Sequence, residues 1–302
     1  MKILISGGTG LIGQALSEKL IQSGDELIIL TRDATGKQDS INKKYFEWDS
    51  KSKEPLIPLM EDVDAVVNLS GENIGTGIWT TAKKDRIINS RISAGNALTH
   101  AILDSSKRPE VFIQASGVGY YGASHTKVFD ETFPNGDDFL ANVAKQWEAS
   151  SSQLDSAGIR RVIIRNGLVL DSKSGVLPLM ILPFRLFVGG PLGSGRQMVS
   201  WIHLQDTIRA IEFLIKNKVL SGPVNLSSPN SLTNSEFGKV IAKVVKRPYW
   251  FPVPSFGLKI VLGEKSQLIL TGQNAYPGNL LSHGFEFNFP ELTEALRDIY
   301  NK

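Results

Sequence analysis

Apolar positions in this chain follow two rhythms. Short unbroken runs, five or six residues long, alternate over the first half with longer stretches whose apolar residues recur every three or four positions. An unbroken run reads as a strand buried on both faces, and the spaced pattern reads as an amphipathic helix. Lys2–Ser6 (KILIS) opens the series, followed by Glu26–Leu30, Asp64–Leu69, Val111–Ala115 and Arg161–Arg165. A helix is predicted from Leu11, with Ile12, Leu16 and Leu20 a turn apart and Gly24 at its end. Further helices are predicted around Lys83–Leu103 and Leu140–Ala157. Such alternation implies an α/β fold: a doubly wound parallel sheet with right-handed crossovers and helices on both faces.

The rhythm changes after Asp171, where Gly, Pro and Ser become denser and the elements shorten. Thr233 and Glu236 have capping-box spacing, opening a helix whose stripe is Phe237, Val240, Ile241 and Val244. A loop spaced by Pro248, Pro252 and Pro254 follows, and a last helix carries Leu292, Ala295, Leu296 and Ile299. The expected organisation is a sheet domain over residues 1–230 and a smaller C-terminal α/β lobe over 231–302. Parts of 171–200 are expected to contribute to the lobe.

Composition narrows the chemistry. The net charge of +3 comes from 33 basic and 30 acidic residues, without a concentrated basic stripe, so neither nucleic acid nor a membrane is expected as partner. The absence of cysteine excludes disulfides, thiolate zinc sites and a cysteine nucleophile. The four histidines stand far apart, none at metal-ligand spacing, so no metal is expected. No apolar run reaches the ~18 residues of a membrane span. The first strand begins directly after Met1-Lys2, so a cytoplasmic location without a leader is expected.

The segment Gly7-Gly8-Thr9-Gly10-Leu11-Ile12-Gly13 lies between the first strand and the first helix. Gly7, Gly10 and Gly13 allow a tight turn, close approach of backbone amides to a diphosphate, and close packing of helix on sheet. The helix start at Leu11 and Ile12 adds unpaired N–H groups and partial positive charge. This is the pattern of a dinucleotide-binding, Rossmann-type fold. An NAD-selective member places an acid at the tip of the second strand for the ribose 2′-hydroxyl. Here the strand ends Thr31-Arg32, and a guanidinium suits the 2′-phosphate of NADP. NADP is therefore expected over NAD, with Asp33 as the residue that would argue otherwise. The strand ending at Asn68 leads into Leu69-Ser70-Gly71, which the switch-point rule places beside the cofactor.

GGTGLIG, NLSG, SGVGYYG, RNGLVLD and WIHLQD together resemble the extended short-chain dehydrogenase/reductase superfamily over nearly the whole chain. Ile78-Trp79, Ser90-Arg91, FLANVAKQWE, Pro252-Val253-Pro254, Gly263-Glu264 and Gly284-Phe285 narrow the resemblance to its atypical epimerase-family branch. That branch carries a C-terminal domain of unknown function. The superfamily uses a Tyr as acid/base and a Lys four residues later on the same helix face. Aligned on Trp147-Glu148, those positions hold Leu140 and Ala144, which move no proton, and Lys145 lies about 100° around the helix.

The resemblance implies roles for the remaining groups. Ser116 stands where the upstream Ser would bind the reacting oxygen; its bland reading is a turn hydroxyl. Tyr120 and Tyr121 offer substitute acids or plain packing. Arg91 would hold an anion, or else an ion pair in the helix layer. Arg165, Asn166 and Gly167 would lie near the nicotinamide carboxamide. His203 reads as a structural strand-to-helix turn, with Asp206 capping the next helix. The implied function is an NADP(H)-binding oxidoreductase or epimerase acting on an unknown small substrate; the rival is a non-catalytic NADP(H) sensor. Extended members often pair as homodimers through two helices.

Overall fold

A computed structural model describes residues 1–300. Seven strands form one sheet: β1 (Lys2–Ser6), β2 (Glu26–Thr31), β3 (Lys43–Glu47), β4 (Ala65–Asn68), β5 (Val111–Gly117), β6 (Arg160–Asn166) and β7 (Gly222–Leu226). Their order across the sheet is β7-β6-β5-β4-β1-β2-β3, and every neighbouring pair is parallel. The chain therefore reverses its direction of travel between β1 and β4, and a crevice opens there at the carboxyl ends. The doubly wound parallel sheet expected from the alternation is present.

The longer helices are α1 (Leu11–Gln22), α2 (Thr81–Asp104), α3 (Phe139–Ala149), α4 (Leu177–Arg185), α5 (Leu204–Lys216), α6 (Asn234–Val245), α7 (Ser255–Leu262) and α8 (Leu292–Tyr300). The strand pleat sorts the core into two layers. Ile3 and Ile5 pack with Leu16 and Leu20 of α1 and with Ile211 and Leu214 of α5. Leu4, between them, packs on the opposite face with Leu98 and Ile102 of α2. A third core joins Leu177, Ile181 and Trp201 to Phe237 and Ile241 of α6 and Leu292 and Leu296 of α8. Segment 171–200 thus shares its apolar contacts with the C-terminal lobe. The capping box at Thr233–Glu236 forms as its spacing requires.

Three local features depart from the pattern reading. α3 stops at Ala149 and a separate turn covers Gln153–Ser156, where one helix to Ala157 was expected. A run of serines causes the break: Ser150 Oγ donates to Trp147 O at 2.6 Å, competing with the helix ladder. β3 and β7 lie outside the apolar runs. β3 is an edge strand reading KKYFE, and β7, on the other edge, carries Pro223 near its start. Edge strands tolerate both charge and proline, so neither strand has an apolar signature.

The cap of α5 is also reassigned. His203 Nδ1 accepts from Gln205 N at 3.1 Å, so His203 is the N-cap, and its ring packs against Phe289, tilted by 32°. Asp206 is fully buried inside the first turn. It accepts from Asn288 N (2.9 Å), Phe289 N (2.8 Å) and Arg209 Nη1 (3.0 Å), tying the C-terminal segment to α5. Asp206→Asn keeps the size but loses the charge that strengthens these bonds. It should cost about 2 kcal/mol in urea unfolding; a change inside experimental error would remove this tie from the fold's supports.

Candidate cofactor site

The turn after β1 is built from close backbone contacts. Gly7 has φ 73°, and a Cβ there would lie 2.7 Å from Leu69 O, in the loop just beyond the end of β4. A Cβ on Gly13 would lie 2.4 Å from Gly7 O and 2.5 Å from Gly8 Cα, so α1 approaches the turn as closely as glycine permits. Gly10 is the N-cap of α1; its Cβ would meet only Gly7 O, at 3.4 Å, and otherwise open space. No side chain caps this helix and its first turn holds no acidic residue. The amides at Leu11 and Ile12 therefore start an uncapped helix beside open space, with the positive end of the helix behind them.

A polar ladder lies beneath this turn. Ser70 Oγ donates to Ser6 Oγ (2.8 Å), Ser6 Oγ to Asn68 Oδ1 (2.6 Å), and Asn68 Nδ2 to Gln114 Oε1 (3.1 Å). It fixes the Leu69-Ser70-Gly71 loop against β1 and β5. Arg91 braces the same loop from α2, donating to the main-chain oxygens of Glu72 (3.0 Å) and Ile87 (2.9 Å). Its guanidinium lies 4.6 Å from the Trp147 ring centre on one side, while a Cβ on Gly71 would come within 3.0 Å of Cζ. Burial lowers its pKa to about 10, against the opposing pull of Glu72. Nε has no hydrogen-bond partner among the described residues. Glu72 itself pairs with Lys83 at 2.6 Å, and that bond holds its carboxyl below the usual range.

At the tip of β2, Arg32 is exposed and Thr31 half-buried. Asp33 folds onto its own loop: Oδ1 accepts from Thr35 N at 2.8 Å, and this bond lowers its pKa. One of its two carboxylate oxygens is thereby occupied by the chain itself.

The carboxyl ends of β5 and β6 carry a buried ionic network. Ser116 is 4% exposed and its hydroxyl donates to Glu148 Oε1 at 2.7 Å. Glu148 also takes both arms of Arg165, Nε at 3.0 Å and Nη2 at 2.9 Å. Arg165 Nη1 donates to Tyr121 Oη (3.0 Å), which donates to Asn225 Oδ1 (2.7 Å). Burial pushes the Tyr121 phenol up to about 12. Tyr120 is half-buried, with its ring 3.4 Å from Arg165 Cζ. Asn166 Nδ2 donates to Ser116 O (3.2 Å), and its Oδ1 is buried without a partner among the described residues. Gly167 is fixed by N–H donation to Leu226 O at 2.9 Å.

Ser116 and Arg165 thus meet on Glu148, and Arg165 on Tyr121, so the three are brought together as members of one network rather than as open groups. Glu148 was used only as an alignment anchor, yet it lies one turn beyond Ala144 and two beyond Leu140. That spacing, i, i+4, i+8 on one helix, was the available signal. Leu140 joins an apolar cluster with Trp79, Ile87, Val143 and Leu268, whereas Lys145 is exposed.

Residues 3–227 match the NAD dependent epimerase/dehydratase family, and residues 253–299 match a domain of unknown function, DUF1731. The chain belongs to the NAD dependent epimerase/dehydratase family. It is 40% identical over 300 residues to the epimerase family protein YfhF of Bacillus subtilis, covering 99% of this chain and 98% of that one. The crystal structure of human epimerase family protein SDR39U1 with NADPH superposes with a TM-score of 0.89 at 32% identity, covering 100% of both chains. Thermus thermophilus UDP-glucose 4-epimerase, solved with NAD, gives a TM-score of 0.74 at 18% identity over 100% of this chain and 99% of that one, a likeness of fold. The family resemblance read from GGTGLIG onward is borne out, and the NAD(P)-binding fold of the family is the fold of this chain.

Proposed function

We propose that this chain binds NADP(H) in the crevice between β1 and β4 and works as an oxidoreductase or epimerase on a small carbonyl or alcohol. The observation that carries the reading is the uncapped, acid-free start of α1 behind a turn packed too closely for side chains at Gly7 and Gly13. The group fits: Gly10, Leu11, Ile12 and Gly13 would hold the diphosphate, and Thr31 and Arg32 the ribose phosphate. Leu69 to Gly71 would flank the nicotinamide half, with Arg91 beneath that loop. Asn166 Oδ1, buried and unmatched, suits the carboxamide N–H. When bound, the nicotinamide supplies a hydride donor or acceptor.

The chain's own residues then set the proton chemistry. Leu140 and Ala144 offer no acid on the α3 face, and the Tyr121 proton is held by Asn225. Tyr120, half-buried against Arg165, is the remaining phenol at the strand end, and water is the other proton source. The commitment of Ser116 and Tyr121 to the buried network favours, as a second reading, a protein that binds NADP(H) without turnover.

Calorimetry with NADPH and NADH tests the first step, and NADPH oxidation against a panel of aldehydes, ketones and sugar nucleotides tests the second. Arg32→Glu should weaken NADPH by about tenfold to a hundredfold through loss of a charge-assisted contact, leaving NADH nearly unchanged. Equal affinity of the unaltered protein for both would overturn the assignment of Arg32.

A further inference from the structure

Although the overall composition led to no membrane partner being expected, charge is distributed unevenly over the second half of the chain. Residues 172–205 and 237–263 contain no acidic residue, against three and five basic ones, so they carry +8 while the whole chain carries +3. The same two segments hold most of the large apolar side chains that the fold leaves exposed. Leu182 and Leu186 stand a turn apart at the end of α4, joined by the Leu186 N–H donating to Leu182 O. Phe187 follows with φ 63°, a left-handed backbone that a bulky residue adopts at a cost, and its side chain is 55% exposed. Trp250 Nε1 donates to Phe187 O at 2.8 Å, and the Trp250 and Phe251 amides both donate to Gly189 O. These bonds lock the two segments side by side. α7 then leaves the same loop with no buried residue; its Ile260 is 79% exposed.

Cations rim this surface. Arg247 stacks over the Phe187 ring at 4.8 Å. Arg185, Lys246, Arg247 and Tyr300 line a shallow cleft of about 330 Å³ beside it. Protruding aromatic and aliphatic side chains bordered by lysine and arginine have the composition of surfaces that enter the headgroup layer of an anionic bilayer.

We propose that this face docks on an anionic phospholipid surface, with Leu186, Phe187, Trp250 and α7 entering the interface and Lys246 and Arg247 meeting headgroup phosphates. Two-fold pairing with a second copy would set this basic face against itself, which like charge disfavours. Cations placed directly beside the exposed aromatic and aliphatic side chains, as Arg247 is beside Phe187, match a headgroup layer lying over acyl chains.

The test uses the full chain and phosphatidylcholine vesicles with or without phosphatidylserine. Co-sedimentation is expected only with phosphatidylserine and should fall as salt is raised. Of the five tryptophans, Trp48, Trp79, Trp147 and Trp201 are buried, so a blue shift of emission on binding reports Trp250. Trp250→Phe should lose that shift while still sedimenting. The double variant Lys246→Glu/Arg247→Glu should weaken binding on the order of tenfold or more, and Leu182→Ser/Leu186→Ser should also weaken it. NADPH binding, unchanged in all variants, shows that they fold and keeps this test separate from the cofactor reading. Failure to sediment with phosphatidylserine at low salt overturns the proposal. Equal binding to both vesicles overturns it too, as does a solution dimer lost in the leucine variant without vesicle binding.

Discussion

Gly13→Ala is expected to reduce NADPH affinity by a hundredfold or more and to destabilise the fold at the same time. The added methyl would lie 2.4 Å from Gly7 O and 2.5 Å from Gly8 Cα, both main-chain atoms, so no rotamer change relieves it. Either α1 retreats from the sheet or the turn opens. Overpacking of this kind costs about 1–3 kcal/mol of stability, and a shift of the amides by even a fraction of an ångström spoils their aim at a diphosphate. Gly10→Ala is the contrasting case. Its backbone (φ −81°, ψ 176°) is open to any residue, and its Cβ meets one atom, at 3.4 Å. Stability should hold within about 1 kcal/mol, while the methyl occupies the space beside the helix start where a diphosphate would sit. Melting curves and calorimetry on both variants separate the effects. Tight NADPH binding by Gly10→Ala would place the diphosphate somewhere else.

The same contrast shows what a sequence can carry. The Gly7–Gly13 cradle was legible because its chemistry is local: strand, turn and helix are consecutive, and glycine is the residue such contacts require. The place of Arg32, exposed at the tip of β2, was legible for a similar reason, since it ends an unbroken apolar run. The Ser116 site was only half legible. Its position at the end of β5 follows from the run, but its orientation depends on how far the strand continues. β5 extends through Gly117 rather than stopping at Ala115, so the pleat turns Ser116 to the same side as Phe112, which packs on α2. Glu148 meets it there, and that pairing is set by helix packing across 32 residues. β3 and β7 were hidden because edge strands answer to one neighbour and to solvent, leaving no apolar run to read.

Removing the Glu148 carboxylate should be among the most damaging single changes in the molecule. The Glu148–Arg165 pair is bidentate, with side-chain exposures of 13% and 4%, and Arg165 also contacts both Tyr120 and Tyr121. Burial opposes the charge on Arg165, and the hydrogen bonds and charge of Glu148 more than offset that, raising its pKa above the ordinary value. Glu148→Ala leaves a buried guanidinium without its counter-ion and frees the Ser116 hydroxyl, so a loss of about 3–5 kcal/mol is expected in urea unfolding. The double variant Glu148→Leu/Arg165→Met should recover much of that loss, because two apolar groups of similar volume leave no charge to desolvate. The comparison distinguishes a pair that stabilises the fold from one that orders the site. Recovered stability together with weakened NADPH binding would mean that the network's task is to hold Tyr120, Ser116 and Asn166 at the crevice. If the single variant costs under about 1 kcal/mol, the pair behaves as a surface bridge, and its place at the centre of the strand ends loses its meaning.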